Sequence, residues 1–220
     1  MILIGMFDSP YVRRVAISMT LLRMPFEHRN WSVGRDFDRI RAFNPQGRVP
    51  TLVLDDGEAL TESAMIIDHL DQVAGPQRAL IPPSGHARRQ AQSIIALATG
   101  AVDKGILIVM ERIFRPADKH HQPFLDRCRL QIRGALAELD ARCAARSGQW
   151  LVGETIGQAD ITLACYANYL RDAVPFDLSA YPALVAHCER CEALPVFGQF
   201  AVPFDAPVPT PASTSPATSA

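Results

Sequence analysis

At Pro82-Pro83-Ser84-Gly85 the chain changes character, and that change constrains its fold more than any other feature. Four breakers in a row end whatever regular structure precedes them. Upstream, short apolar runs alternate with helical periodicity. Met1–Met6 is strand-like in length and is stopped by Phe7-Asp8-Ser9-Pro10. Pro10 suits the first position of a helix, and Val12, Val15, Ala16, Met19 and Leu22 then recur at helical spacing, which predicts a helix from Pro10 to about Arg23. Phe26–Trp31 reads as a second strand and Asp36–Phe43 as a short helix ended before Asn44-Pro45. Thr51–Leu54 and Glu58–Leu60 flank Asp55-Asp56-Gly57, a hairpin signal. From Glu62, apolar residues Ile66, Ile67, Leu70 and Val73 predict a further helix closed by Gly75-Pro76.

Downstream of the breakers, strand signals disappear. His86 to about Arg115 reads as one long helix, with a bend expected at Gly100 or Gly105. Leu125, Cys128, Ile132, Leu136 and Leu139 trace another, and Asp160–Arg171, Tyr181–Cys191 and Pro195–Phe200 supply the rest. The expected division is therefore an α/β domain over residues 1–80 and an all-α domain over residues 86–202. From Pro203 the composition turns to Pro, Ala, Ser and Thr, with Asp205 the sole charge. Such a segment buries too little apolar surface to offset its ordering entropy, so residues 203–220 are expected to be a disordered tail. Phe204 is its one residue suited to docking, and deleting residues 205–220 is expected to change little.

Charge and cysteine usage narrow the function classes. Twenty-two Lys and Arg against 23 Asp and Glu give a net charge of −1, so no global field recruits nucleic acid or an acidic membrane. Asp103 and Lys104 split the longest apolar stretch well short of the roughly 20 residues that span a bilayer. Five cysteines at irregular spacing exclude a disulfide scaffold and agree with a reducing compartment. The first residues carry no basic leader and too short an apolar run for a signal peptide, so a cytoplasmic location is expected.

Three segments carry chemistry. Ser9 sits where a helix begins, and the N–H groups and dipole there favour an anion that the hydroxyl can also meet; simple capping is the plainer alternative. Asn44-Pro45-Gln46-Gly47-Arg48-Val49-Pro50-Thr51 is a turn leading through an extended dipeptide into a strand. Thr61-Glu62-Ser63-Ala64 places an acid and a hydroxyl at the next helix start. Cys188-Glu189-Arg190-Cys191 has metal-like spacing, but no second pair matches it and no metal is expected. Cys128, Cys143 and Cys165 fall on apolar stripes and read as core.

The order β-α-β-α-β-β-α is the thioredoxin-like arrangement, and with an all-helical second half the chain resembles the cytosolic glutathione S-transferases. The resemblance covers Met1 to about Phe200. Its Ser9-Pro10-Tyr11 turn is similar to the bacterial serine-type and tau-like members, which implies that Ser9 is catalytic and activates the thiol of glutathione, the cosubstrate. No covalently bound cofactor is implied. The resemblance further implies a cis Pro50, a backbone pairing of Val49 with the cysteinyl unit, and Arg48 for the glycyl carboxylate. Glu62 and Ser63 would hold the γ-glutamyl end.

The electrophile site is expected between the Ser9 turn and the Gly105–Arg115 end of the long helix, with Tyr11, Ile108 and Arg112 as its walls. A homodimer is implied as well. No Cys stands at the Ser9 turn, so thiol–disulfide exchange is the weaker reading. A non-catalytic glutathione-binding module is the main alternative; a reductase, peroxidase or isomerase is weaker, and Asp8-Ser9-Pro10 departs from the Ser-Ser-Cys-x-x-Arg turn of the maleylacetoacetate isomerases. Gly153-Glu154-Thr155-Ile156-Gly157-Gln158-Ala159-Asp160 is similar to the family's buried helix cap, but Gly157 stands where Ser or Thr is usual.

Overall fold

The structure is a computed structural model and describes residues 1–206. Four short strands form one sheet in the order β2-β1-β3-β4, with β1 (Ile2–Ile4) inside it. β2 (Glu27–Arg29) runs parallel to β1, because α1 (Pro10–Leu21) carries the chain back across the sheet between them. β3 (Thr51–Val53) is antiparallel to β1, and the β3–β4 hairpin closes on β4 (Ala59–Thr61). Leu3 pairs with Leu52, and Leu52 with Leu60. These three join the main core, whereas the neighbouring Ile4 and Val53 join a smaller cluster with Ile40 of α2 (Phe37–Arg41). The two-residue alternation thus gives the sheet two buried faces.

Beyond α3 (Ser63–Ala74) the chain is helical, as expected. α4 spans Gly85–Phe114 without interruption and packs against α5 (Gln122–Ala145) and α6 (Gln158–Ala173). Its best window has a mean hydropathy of 1.8, long and apolar enough to cross a bilayer. Here Ile94, Ala98, Val102 and Ile108 of that helix are buried in the protein core. Gly105 does not break α4; a Cβ there would lie 2.6 Å from Leu170 Cδ2, so the glycine lets α6 approach. α7 (Pro182–Glu192) and α8 (Pro195–Gly198) complete the domain.

All five cysteines are free and buried, and burial pushes the thiols of Cys143 and Cys165 up to about 12.

Gly157 has a local reason. A Cβ at this residue would meet the Leu80 carbonyl oxygen at 2.9 Å, and the next amide, Gln158 N, donates to that oxygen at 2.8 Å. The link between the domains therefore leaves no room for Ser or Thr. Only half of the reciprocal cap survives: Gly157 N donates to Asp160 Oδ2 at 2.9 Å, while Asp160 Oδ1 accepts from Leu151 N at 2.9 Å.

One helix joins the two halves. Helical spacing predicts a single apolar stripe on α1, yet Arg13, Arg14 and Ser18 on its other side are buried too. Two nitrogens of the Arg13 guanidinium donate to Glu192 at 2.9 and 2.7 Å, and Ser18 Oγ donates to Gln158 Oε1 at 2.8 Å. The polar side of α1 faces the helical domain, and the main apolar core runs unbroken through both domains.

Candidate active site

The cleft between the domains has a polar floor and apolar walls. It encloses about 330 Å³, with Ser9, Arg48 and Val49 on the floor. Trp31, Val33 and Phe37 form one wall, Ile106, Met110 and Phe114 of α4 the other, and Tyr169 and Phe204 one end.

Ser9 precedes α1, and its hydroxyl caps nothing: its side chain makes no hydrogen bond to the first turn. Pro10 occupies the first helical position. The simple-cap alternative therefore fails here, and the hydroxyl is left facing the cleft beside the positive end of a twelve-residue helix. Tyr11, the neighbouring hydroxyl, is committed elsewhere. It lines the cleft but donates to Asp103 Oδ1 of α4. Burial, reinforced by that carboxylate, pushes its pKa well above the ordinary phenol range.

The Val49–Pro50 peptide is cis. Asn44 organises the loop before it: Asn44 Nδ2 donates to Arg48 O at 2.9 Å, and Asn44 Oδ1 accepts from Gln46 N at 3.0 Å. Thr51 Oγ1 also donates to Arg48 O at 3.2 Å. Among the described residues, the Val49 peptide N–H and C=O make no hydrogen bond within the protein. The Arg48 side chain is exposed and forms no ion pair among these residues.

Glu62 and Ser63 start α3 as expected, with a feature the sequence did not disclose. Glu62 has a φ of 71°, in the left-handed region, a strained conformation for a residue with a side chain. Ser63 is fully buried and its hydroxyl donates to Glu62 Oε1 at 3.2 Å. Ser63 Oγ in turn accepts from Arg14 Nη2 at 2.6 Å and Nε at 3.2 Å. A third Arg14 nitrogen donates to Thr162 Oγ1 of α6 at 3.3 Å, and the guanidinium lies 5.1 Å from the Tyr166 ring centroid. Arg14 is only 2% exposed, so a buried cation fixes the start of α3 from below.

Sequence reading missed Arg14. The available signal was a helix whose residues between the two arginines and Met19 are otherwise small or apolar, which suits burial on all sides. It also missed Gly5, whose φ is 131°. A Cβ there would stand 2.6 Å from Val12 Cγ2 and 2.8 Å from Val49 Cβ. Gly5 thus lets the first turn of α1 and the cis-proline loop close on one another, which brings Ser9 and Val49 to one floor.

Two expected wall residues are corrected. Ile108 is fully buried in the core, because the helix turns Ile106 and Met110 toward the cleft instead. Arg112 is exposed and reaches Val174 O at 3.5 Å, away from the cleft. The tail is also revised: Phe204 and Asp205 line the cleft, while residues 207–220 of the expected tail lie outside the described part.

Comparison with known proteins agrees with this architecture. Residues 3–78 match the family model for the glutathione S-transferase N-terminal domain, and residues 122–190 that for the C-terminal domain. The chain is 30% identical over 168 residues to the uncharacterised GST-like protein YibF of Escherichia coli, covering 76% of this chain and 81% of the relative. It is 28% identical to a probable maleylacetoacetate isomerase 2 of Drosophila melanogaster, over 84% of this chain and 80% of that one.

Among solved structures, a Methylobacterium radiotolerans glutathione S-transferase in complex with glutathione sulfonate superposes with a TM-score of 0.83 at 28% identity, covering 97% of each chain. One from Methylobacillus flagellatus with glutathione bound gives 0.82 at 26% identity, over 92% of this chain and 99% of that chain. The chain belongs to the glutathione S-transferase family, and its fold is the thioredoxin-like and all-helical pair of that family.

The placement of Gly5 can be tested directly. Gly5→Ala should destabilise the protein by about 2 kcal/mol or more, from left-handed strain and the two close contacts. Urea unfolding measures this; a loss below about 0.5 kcal/mol would show that the two loops do not close on this glycine.

Proposed function

We propose that this transferase binds glutathione along the floor of the cleft and uses Ser9 to stabilise its thiolate for attack on a small hydrophobic electrophile. The observation that carries the reading is the Ser9 hydroxyl at the start of α1, which makes no capping hydrogen bond to the helix. A free thiol has a pKa of about 8.5, so only a few per cent is ionised at neutral pH. A hydroxyl donor and a helix N-terminus both favour the anion and lower that value. The extended peptide then has partners along its length. The open N–H and C=O of Val49 suit the cysteinyl backbone, and Arg48 suits the glycyl carboxylate. Glu62 meets the γ-glutamyl ammonium, while Ser63 and the start of α3 meet its carboxylate. The nucleophile attacks from the floor, and the apolar walls hold the electrophilic carbon and exclude water.

The names of three relatives, each a maleylacetoacetate isomerase or a probable one, favour a second reading, in which the same thiolate adds reversibly to an activated double bond and permits cis–trans isomerisation. This chain lacks the Ser-Ser-Cys turn associated with that activity. We also infer a homodimer, supported by the exposed apolar residues Met65 and Val73 on α3. A scattering mass of one protomer at micromolar concentration contradicts that inference.

Ser9→Ala should lower turnover of a chloro-dinitroaryl substrate by roughly one to three orders of magnitude, with a smaller change in glutathione affinity. Its pH–rate profile should move upward, because a weaker donor leaves less thiolate at neutral pH. Tyr11→Phe should cost far less. Full activity in Ser9→Ala and loss in Tyr11→Phe would reassign the catalytic hydroxyl. Turnover of a maleyl substrate but of no aryl halide, nitrobenzyl halide or peroxide would favour the isomerase.

Arg14→Lys should raise the KM for glutathione about tenfold with a much smaller effect on kcat, since one ammonium cannot span both Ser63 and Thr162. Steady-state kinetics with varied glutathione measures this. An unchanged KM would mean that Arg14 does not hold the γ-glutamyl subsite.

A further inference from the structure

After α8 the chain does not leave the molecule. It turns back, and Phe204 and Asp205 join Ser9 in the lining of the cleft. Three contacts tether this strap to three different elements. The Asp205 amide donates to Asp8 Oδ2, in the loop before α1, at 2.9 Å. The Asp205 carboxylate pairs with Arg35, in the loop before α2, at 2.6 Å. The Phe204 ring stands edge-on to Tyr169 of α6, with centroids 5.8 Å apart and planes at 86°.

The two carboxyls are in different electrostatic settings. Burial raises the Asp8 carboxyl above the ordinary range, while the Arg35 hydrogen bond holds that of Asp205 below it. Polar anchors on both sides of Phe204's neighbour fix the backbone, and the ring itself is left to the cavity.

We propose that Phe204 is a specificity-determining residue of the electrophile pocket, positioned by the Arg35–Asp205 pair and the Asp8 carboxylate. The inference rests on the transferase reading of the cleft and adds to it the residue that sets how long an electrophile can be. With the strap in place, Phe204 and Tyr169 close one end of the apolar pocket, so a single-ring electrophile is packed against them over the thiolate. A fused two-ring electrophile must displace the Phe204 ring. The Arg35–Asp205 pair is half-exposed, so salt should weaken it without touching the floor. Asp8, one residue from Ser9, carries the contact from strap to catalytic turn.

The test compares kcat/KM for 1-chloro-2,4-dinitrobenzene and 1-chloro-2,4-dinitronaphthalene, which share leaving group and activation but differ by one ring. Their ratio cancels the thiolate's own reactivity. Phe204→Ala should raise the two-ring over one-ring ratio by about tenfold, the scale of a change in pocket volume. Arg35→Ala should move it the same way by about threefold, in keeping with a surface ion pair. In the wild type, 0.5 M NaCl should reproduce the Arg35→Ala ratio, and in Arg35→Ala added salt should change nothing further. The proposal is overturned if both variants keep the wild-type ratio within about twofold while the small substrate still turns over; the transferase reading then survives. It is equally overturned if both substrates lose activity in the same proportion, since that is a structural role. A wild type that turns over neither substrate, nor any other electrophile, sinks the transferase reading and this proposal together.

Discussion

The site depends on burying α1 between the sheet and α6. A helix covered on one side needs one apolar stripe; α1 is covered on both, and its second side carries Arg13, Arg14 and Ser18. Burying two guanidinium groups is costly unless they are satisfied, and of their nitrogens only Arg13 Nε is left without a partner among the described residues. Arg13 takes the Glu192 carboxylate and the Phe197 carbonyl, and Arg14 takes two hydroxyls and an aromatic face. All of these but the Arg14–Ser63 bonds cross the domain boundary, so a shift of one domain against the other breaks them. The helix that positions Ser9 is thus tied to both domains, and the cleft is built from its N-terminus.

From that point the cleft separates two jobs by polarity. Its floor comes from the α/β domain and consists of loop backbone and polar side chains, among them Ser9, Arg48 and the open peptide of Val49; Glu62 and the buried Ser63 are not part of its lining. Its walls come from both domains and are aromatic or aliphatic. A peptide-like cosubstrate needs hydrogen bonds along its length, whereas an apolar electrophile needs area and little direction. On the proposed reading, loops whose geometry is fixed by Gly5, Asn44 and the cis peptide would supply the first, and side chains on α4 and α6 the second.

The fold was almost wholly legible in the sequence, because alternation and helical spacing are local signals. Each predicted element exists, with boundaries that differ by a few residues at its ends. The motif residues of the floor and of the α3 start were legible too, since Ser9-Pro10, Val49-Pro50 and Glu62-Ser63 are contiguous words in the chain. What failed was whatever depends on the side of a helix or on partners far away in sequence. Ile108 and Arg112 were assigned to the cleft by position along α4, yet a helix turns 100° per residue and the neighbours Ile106 and Met110 face it instead. Arg14 was invisible because its partners, Ser63 and Thr162, are 49 and 148 residues away. The strap misled for a related reason: composition describes what a segment can bury by itself, and the contacts of Phe204 and Asp205 are all made by other elements.

The central claim is that Ser9, at the positive end of α1, makes the bound thiol of glutathione more acidic. Ultraviolet difference titration of the thiolate near 240 nm, with glutathione saturating the protein, measures that acidity without any electrophile. The account predicts a bound pKa at least about one unit below the free value of about 8.5, and a return of most of that shift in Ser9→Ala. Equal thiol pKa values in the two proteins, both saturated with glutathione, would contradict it.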